Sequence, residues 1–262
     1  MRNLIRYRIV GSILLLIIFI QAGFIWRFFF KKRLIGRFPV IKGEIVIVLD
    51  DWGYNLDNLE ILKEIPQPLV LAILPHLEYS REISDFAKSI GKEVILHLPL
   101  EPKKSSDYLG WEKFTITVNM GEEEIKRIVS KAIINLGEVK GVSNHMGSRA
   151  TEHEKTMNVI FKEIKKRGFY FLDNRVSGGS ICRYLSKKLS LKFISRDIFL
   201  DNEKRIDYIK TQLNKLKIIA LNKGHAVGVG HNRPLTLKIL KEELPKIEKE
   251  GFKFVFLSEL IK

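Results

Sequence analysis

The stretch EIVIVLDDWGYN, residues 44–55, decides the fold. Its aliphatic run predicts a strand that is buried on both faces, as in a parallel sheet covered by helices. The strand ends at two adjacent acids, Asp50 and Asp51, and Gly53 then predicts a turn. Neighbouring carboxylates repel one another unless a proton or a cation separates them. We therefore expect one acid to bind a divalent metal and the other to remain free as a base; a turn or helix-capping role is the alternative.

Strands and helices alternate along the rest of the chain. Further strands are predicted at residues 69–74, 93–98, 141–143, 169–172, 191–195, 226–229 and 252–257. Helices are predicted at residues 81–90, 122–134, 155–167, 180–189, 205–221 and 235–250, with Pro245 placed to kink or break the last. This alternation predicts an α/β fold, an irregular (β/α) barrel of about seven to eight parallel strands. A doubly wound open sheet is the alternative, because the strand count does not determine closure.

Polar clusters follow four of these other predicted strands. In a (β/α) barrel the loops after the strands converge on one face, so side chains far apart in sequence can meet around one ion. The clusters contain His97 and Glu101, then Asn144, His145 and Arg149, then Asp173 and Arg175, and last His231. Taken alone, a histidine such as His97 is more often a core residue than a metal ligand, and the His145 loop is compatible with a helix-capping loop. Together the clusters predict a metal-dependent hydrolase.

Other catalytic and binding patterns are missing from the sequence. The chain has no G-x-x-x-x-G-K phosphate loop and no G-x-S-x-G elbow, which disfavours nucleotide hydrolysis and serine-based chemistry. About half of the net charge of +15 lies in the first 37 residues, which hold eight cations and no acid, so the remaining domain is only mildly basic. No arginine–aromatic interleaving occurs, so no nucleic-acid partner is predicted. The single cysteine, Cys182, excludes an intrachain disulfide and a multi-cysteine zinc site.

The N-terminus has the pattern of a membrane or export segment. Three arginines in the first eight residues precede an apolar run from Ile9 to Trp26. The run is longer than the roughly 7–15-residue core of a signal peptide, which favours a retained spanning helix over a cleaved signal. We therefore predict an anchor or signal at residues 1–30, a basic linker at 31–43 and the main domain at 44–262. The sequence does not determine the oligomeric state.

A set of ordered motifs resembles the divergent polysaccharide deacetylase family over residues 44 to about 260. The motifs are IVIVLDDWGYN, LAILPH, EVILHLPLEP, GVSNHMGSRAT, FYFLDNR, RDIFLDN and GHAVGVGH. That family is related to carbohydrate esterases with an irregular (β/α) barrel, which remove N- or O-acetyl groups with a divalent metal, commonly zinc. The resemblance therefore implies this fold, this reaction and a zinc-type cofactor.

The resemblance also implies a role for each candidate residue. Asp50 matches the base, Asp51 and His97 match metal ligands, and His231 matches the acid. Glu101 stands where the ordinary motif has its second metal histidine, so His145 is the candidate for the missing imidazole. Asp173 is the candidate that orients the acid. The candidates for substrate binding are Glu101, Asn144, Arg149 and Arg175.

The function implied is removal of acetyl groups from a cell-envelope polysaccharide by an extracytoplasmic enzyme, anchored by its N-terminal helix or secreted. The cations between Arg27 and Arg37 would by themselves favour retention in the cytoplasm, but long domains translocate regardless of flanking charge. Two alternatives stay open. One is a weakly active or inactive envelope scaffold on the same fold, which the departure at Glu101 favours. The other is a metal-dependent hydrolase of another substrate, such as a phosphoester or a peptide amide.

Overall fold

The structure, a computed structural model, describes residues 16–27, 41–104 and 114–261. The chain divides into two compact units, Met1–Val40 and Ile41–Lys262. In the first unit, residues 16–27 form helix α1, and the rest of the predicted anchor or signal segment lies outside the described residues. Among the described residues, no helix combines the length and apolar character needed to cross a membrane.

The described part of the second unit is built on nine parallel strands, and a helix separates each strand from the next except between β6 and β7. The strands are β1 (Gly43–Trp52), β2 (Val70–Ile73), β3 (Glu93–Leu100), β4 (Gly141–Met146), β5 (Tyr170–Asp173), β6 (Phe193–Ser195), β7 (Ile198–Phe199), β8 (His225–His231) and β9 (Phe252–Phe254). The helices are α2 (Leu59–Lys63), α3 (Ser80–Ser89), α4 (Glu122–Leu136), α5 (Glu154–Lys166), α6 (Cys182–Leu189), α7 (Ile206–Lys223), α8 (Pro234–Lys249) and α9 (Leu257–Leu260).

The sheet curls into an irregular barrel. Its strand order is β6-β5-β4-β3-β2-β1-β8-β7, with β9 beside the start of β1. Only Arg196 and Asp197 separate β6 from β7. The amide of Arg196 donates to the carbonyl of Asp173 (3.0 Å) and that of Asp197 donates to the carbonyl of Val227 (2.9 Å), so this segment passes from β5 to β8 and joins the two ends of the sheet. The prediction of an irregular (β/α) barrel of parallel strands is confirmed.

Side chains of each strand alternate between two hydrophobic cores. The main core lies between the sheet and the helices and takes Ile45, Ile47 and Leu49 from β1. A second core, inside the barrel, takes Val46 and Val48. Since successive side chains of a strand point to opposite faces, this alternation determines which residues at each strand end face the interior.

Some elements differ from the sequence prediction. The short elements α2, β7 and α9 were not predicted. The strand predicted at residues 252–257 ends at Phe254, because only its first three residues pair with β1. Helix α8 does not break at Pro245, one of the two expected outcomes, because it continues as one helix as far as Lys249.

Candidate metal and acid–base site

Strand alternation brings five polar residues to the carboxyl end of the barrel, on the interior side. Asp50 continues the interior row of Val46 and Val48 in β1. The other strands contribute His97 beyond Ile95, His145 beyond Ser143, Asn174 beyond Leu172 and His231 beyond Val229. The site is therefore the polar continuation of the inner core, with one polar side chain at or near the end of each of these five strands.

Asp51 reaches the same place by a different route. By simple alternation it would face the outer core with Leu49. Its backbone has a φ of 66°, and the pairing of β1 with β2 shifts between Leu49 and Trp52. A positive φ is unfavourable for most side chains and is tolerated best by Asn, Asp and Gly. This irregularity turns the Asp51 carboxylate toward His97 and His145.

Asp51, His97 and His145 form a group that could hold a metal ion. Asp51 Oδ1 lies 3.1 Å from His145 Nδ1 and 3.4 Å from His97 Nε2, and the two ring nitrogens are 3.2 Å apart. Ligands that sit about 2.1 Å from a zinc ion lie roughly 3.0–3.4 Å from one another in octahedral or tetrahedral geometry. The donor set and its spacing therefore fit a divalent ion, at the three residues that the sequence predicted.

A contact at Nδ1, the ring nitrogen that faces away from Asp51, fixes the orientation of His97. Its Nδ1 lies 2.8 Å from the hydroxyl oxygen of Ser143, the partner of His97 in the pairing of β3 with β4. When Nδ1 carries the proton and donates it to Ser143, Nε2 has a free lone pair that faces Asp51. Partners of this kind set the tautomer of metal-binding histidines and increase the basicity of the ligand nitrogen.

Asp50 is buried, with only 2% of its surface exposed. Its Oδ2 accepts a hydrogen bond from the side-chain amide of Asn174 at 2.8 Å. Its Oδ1 is buried and has no hydrogen-bond partner among the described residues. A buried acceptor without a partner costs about 1–3 kcal/mol, so this oxygen is suited to receive a proton or a hydrogen bond from a molecule bound in the site.

The two adjacent aspartates have opposite pKa shifts. Burial, together with the negative charge of Asp51, raises the pKa of Asp50 above its usual value, against the influence of His97. Burial would also raise the pKa of Asp51, but hydrogen bonds from His145 and His97 outweigh burial and lower it. Groups whose pKa values are pushed apart in one site are suited to different roles. Asp51 thus has the character of a permanent anionic ligand and Asp50 that of a proton acceptor.

His231 forms a second polar unit with Asp201, a fully buried carboxylate. Asp201 Oδ1 lies 2.7 Å from His231 Nδ1, while Oδ2 accepts hydrogen bonds from the backbone amide of His231 (3.0 Å) and the hydroxyl of Thr236 (2.6 Å). Burial lowers the pKa of His231, but the hydrogen bond and charge of Asp201 outweigh it and raise the pKa above the usual value. Because His231 pairs with Asp50 across β1 and β8, the candidate proton donor lies beside the candidate proton acceptor.

The structure corrects the assignment of Asp173 as the residue that orients the acid. Asp173 follows Phe171 on the outer row of β5, away from the barrel interior. Its Oδ1 accepts from the backbone amide of Arg175 (2.8 Å) and its Oδ2 from the hydroxyl of Ser180 (2.9 Å). The carboxylate that contacts His231 belongs to Asp201.

The expected substrate contact of Asn144 is also corrected, for the same reason. Asn144 follows Val142 on the outer row of β4 and is fully buried. Its side-chain amide donates to the carbonyl of Met146 (2.8 Å), and its side-chain oxygen accepts from the backbone amide of Asn174 (2.9 Å). Asn144 therefore supports the loop that carries Asn174 and lies on the side of β4 that faces away from the barrel interior.

Glu101 lies outside the metal-compatible group and ties neighbouring loops together. Its Oε2 accepts from the amide of Val118 (2.7 Å) and its Oε1 from the guanidinium of Arg149 (2.8 Å). Its carbonyl accepts from the amides of Arg149 and Ala150. Arg149 is half exposed and Arg175 is exposed, with a φ of 50°. Contacts of Glu101, Arg149 and Arg175 with a substrate remain predictions.

Several residues that complete the site were given no role from the sequence. They are Ser143, Asn174, Arg196, Phe199, Asp201 and Thr236. A test for strand alternation would have found part of this set, because Ser143 and Asn174 stand on the same interior rows as His145 and Leu172. The pairing of Asp201 with His231 depends on the closure of the barrel between β7 and β8, which no local pattern reveals.

The fold and this site define a (β/α)-barrel protein in which a metal-compatible group lies beside a buried carboxylate and a carboxylate-paired histidine. The model of the divergent polysaccharide deacetylase family matches residues 47–261. The chain belongs to this family, and the resemblance inferred from its ordered motifs is confirmed.

Two relatives match most of the chain. The uncharacterized protein YibQ of Escherichia coli (strain K12) is 31% identical over 204 residues, which cover 78% of this chain and 63% of that protein. An uncharacterized protein of Haemophilus influenzae is 27% identical over 221 residues, which cover 84% of this chain and 78% of that protein. This chain therefore spans less than two thirds of the length of the E. coli relative.

Solved structures share the fold. The uncharacterized protein ATU2773 of Agrobacterium tumefaciens C58 matches with a TM-score of 0.79 at 21% identity, covering 84% of this chain and 89% of that one. The peptidoglycan N-acetylglucosamine deacetylase Bc1960 matches with a TM-score of 0.52 at 12% identity, covering 85% and 89%. The catalytic domain of the Eubacterium rectale peptidoglycan N-acetylglucosamine deacetylase gives a TM-score of 0.50 at 14% identity, covering 84% and 90%. At these identities the likeness concerns the fold alone.

Proposed function

We propose that this protein is a metal-dependent hydrolase that removes acetyl groups from an acetylated polysaccharide of the cell envelope. The observation that carries the proposal is that two adjacent acids have different surroundings. Asp51 is tied to two imidazoles with the spacing of metal ligands, whereas Asp50 presents a buried oxygen without a partner. Family membership supports the choice of an acetylated glycan as substrate.

Asp51, His97 and His145 would hold the ion. A divalent metal bound there supplies Lewis-acid chemistry, polarising the acetyl carbonyl and acidifying a water molecule. One carboxylate and two imidazoles accept zinc, cobalt or nickel, and we favour zinc because it is commonly held by such donor sets. Ser143 can accept the Nδ1 proton of His97, which would leave Nε2 free for this role.

Asp50 is the proposed general base. Its raised pKa brings it nearer to neutral pH, where a base is both deprotonated and strong enough to take a proton. Asn174 holds one oxygen of the carboxylate, so the other is directed in a single orientation. Asp50 would take the proton from the water that attacks the acetyl carbonyl.

His231 is the proposed general acid. Its Nδ1 is held by Asp201, so Nε2 is the nitrogen that would give its proton to the leaving amine or alkoxide. The raised pKa of His231 keeps the ring protonated further into the neutral range than an ordinary histidine. At the end of the reaction the base holds the water proton and the acid has lost one, which leaves acetate and a free amino or hydroxyl group.

The proposed substrate lies in the envelope, which needs an extracytoplasmic location. The support for this location is the arginine-flanked apolar run from Ile9 to Trp26. We propose that the main domain is exported and either anchored or released after cleavage. Arg149 and Arg175 are the proposed contacts for sugar hydroxyls or for an anionic group of the glycan.

The test is acetate release from acetylated chitooligosaccharides, peptidoglycan and acetylated xylan by the purified chain supplied with zinc, cobalt or nickel. We expect release by the wild type and a loss of roughly 100- to 10,000-fold in Asp50→Asn, the range for removal of one acid or base. A protein that binds metal but releases no acetate from any of the three would reject the deacetylase function. That result would favour the envelope scaffold, while hydrolysis of phosphoesters or peptide amides instead would identify a different metal hydrolase.

A further inference from the structure

Arg196 lies at the seam where the barrel closes, between β6 and β7. Its Nε and Nη2 both donate to the backbone carbonyl of Asn174, at 2.8 and 2.6 Å. Its guanidinium carbon also lies 3.5 Å from the centroid of the Phe199 ring. The two main contacts of this partly buried cation are thus made with two residues that in turn contact the proposed proton-transfer groups.

The first contact leads to the base. The residue whose carbonyl accepts from Arg196 is the one whose side-chain amide donates to Asp50 Oδ2. That same amide also donates to the carbonyl of Asn144 at 3.1 Å, so the direction of the Asn174 amide is fixed by two acceptors. Since Arg196 holds the backbone of Asn174, it sets the position from which this amide reaches Asp50.

The second contact leads to the acid. The ring of Phe199 stacks on the imidazole of His231, with centroids 5.7 Å apart and planes inclined by 16°. A guanidinium against an aromatic ring is attracted by the electrons of the ring face and restricts its motion. Arg196 therefore restricts the ring of Phe199, which contacts one face of the His231 imidazole. Asp201 holds the Nδ1 edge of the same imidazole.

We propose that Arg196 is a positioning residue that aligns the proton acceptor and the proton donor together, Asp50 through Asn174 and His231 through Phe199. The inference rests on the proposed function and adds to it a residue that touches neither substrate nor metal ligands. Burial, with repulsion from Arg175, lowers the pKa of Arg196 to about 10, so the guanidinium stays charged at neutral pH. The cation–aromatic contact is therefore present under the conditions of the reaction.

The kinetic test compares Arg196→Met with a matched control. Arg183→Met is suitable because Arg183 also lies over an aromatic ring, Phe193 at 5.6 Å, and donates to Ser195, outside the acid–base site. We expect Arg196→Met to lower kcat by roughly 10- to 100-fold, as a displacement of about 1 Å in reacting groups does. KM should stay within about twofold and bound metal should be unchanged. Arg183→Met should behave as wild type.

Double variants separate the two branches. Asn174→Ala removes the contact with the base, and Phe199→Leu removes the stacking on the acid. If Arg196 acts through these residues, the total loss of kcat in each double variant should be smaller than the product of the losses in its two single variants. Losses that multiply in both double variants would overturn the proposal. Arg196→Lys should restore only part of the rate, because an ammonium cannot bond the carbonyl and cover the ring together.

A measurement that needs no catalysis distinguishes a failure of this inference from a failure of the proposed function. In the metal-free protein, the imidazole NMR signals of His231, assigned with His231→Gln, should change in Arg196→Met and in Phe199→Leu. They should not change in Arg183→Met, with circular dichroism showing that all variants fold. Unchanged His231 signals in folded Arg196→Met would contradict the inference. If the wild type releases no acetate, the proposed function fails, and these signals alone decide the role of Arg196.

Discussion

Replacement of Asp201 by Asn should disable the proposed acid while leaving the shape of the site almost unchanged. In the wild type three donors converge on Asp201: Nδ1 of His231, the backbone amide of His231 and the hydroxyl of Thr236. Asparagine offers a single oxygen for these three donors. The orientation of the new amide therefore determines the protonation of the histidine.

The structure indicates which orientation is favoured. If the oxygen takes the place of Oδ2, it keeps the bonds from the backbone amide and from Thr236, each worth about 1 kcal/mol. The NH₂ group then faces His231 Nδ1, which must become an acceptor and lose its proton. The opposite orientation leaves the buried backbone amide of His231 facing an NH₂ group, at about 1–3 kcal/mol, and the hydroxyl of Thr236 must turn to accept from that group. The first orientation is therefore favoured, and His231 loses the protonated form that would act as the acid.

The expected result is a fall in kcat of roughly 100-fold or more, within the range for loss of a general acid. The pH profile gives the more specific signature. Since Asp201 raises the pKa of His231, activity that needs the protonated ring is present below that pKa and disappears as the pH rises through it. Without the carboxylate, the alkaline decline of kcat should move to lower pH.

The assay is acetate release between pH 5 and 10, with Asp173→Asn as the matched control. Asp173 is also a carboxylate at a strand end, but its partners are Ser180 and the amide of Arg175. Its replacement should leave the alkaline decline in place. An unmoved decline in Asp201→Asn, or an equal movement in Asp173→Asn, would refute the assignment of Asp201 as the partner of the acid.

Three further predictions follow from other contacts. Ser143→Ala removes the partner of His97 Nδ1 and should weaken metal affinity by about 10- to 100-fold in a competition titration. Glu101→Gln should leave the bound metal unchanged but lower the thermal midpoint, because Glu101 joins two loops and lies outside the metal group; a lost metal would contradict this. In Gly141→Ala the new Cβ would overlap the buried ring of Tyr170. The free energy of unfolding, measured by urea titration, should therefore fall by about 1–3 kcal/mol. An unchanged value would contradict the close packing of Gly141 against Tyr170.

The sequence predicted the parts of the site that depend on strand ends. Asp50, Asp51, His97, His145 and His231 all lie where short apolar runs end, and parallel strands bring such ends to one face. The barrel itself was predictable because its strands are apolar on both faces and separated by helices. These signals are local to each strand and its loop.

The remaining errors have a common physical origin. Asp173 and Asn144 were chosen because they are polar residues at strand ends, but both lie on the outer rows of their strands. One residue further along β5, Asn174 stands on the inner row and contacts Asp50. The pairing of Asp201 with His231 depends on the closure of the sheet, a long-range contact that a residue pattern does not encode.

The most direct test of the proposed function is the metal content of the purified chain after addition of zinc, cobalt or nickel. We expect one ion per chain in the wild type and in Glu101→Gln, and loss of that ion in Asp51→Ala and in His145→Ala. A folded wild type that binds none of the three metals would contradict this expectation. So would a His145→Ala variant that keeps the ion with wild-type affinity.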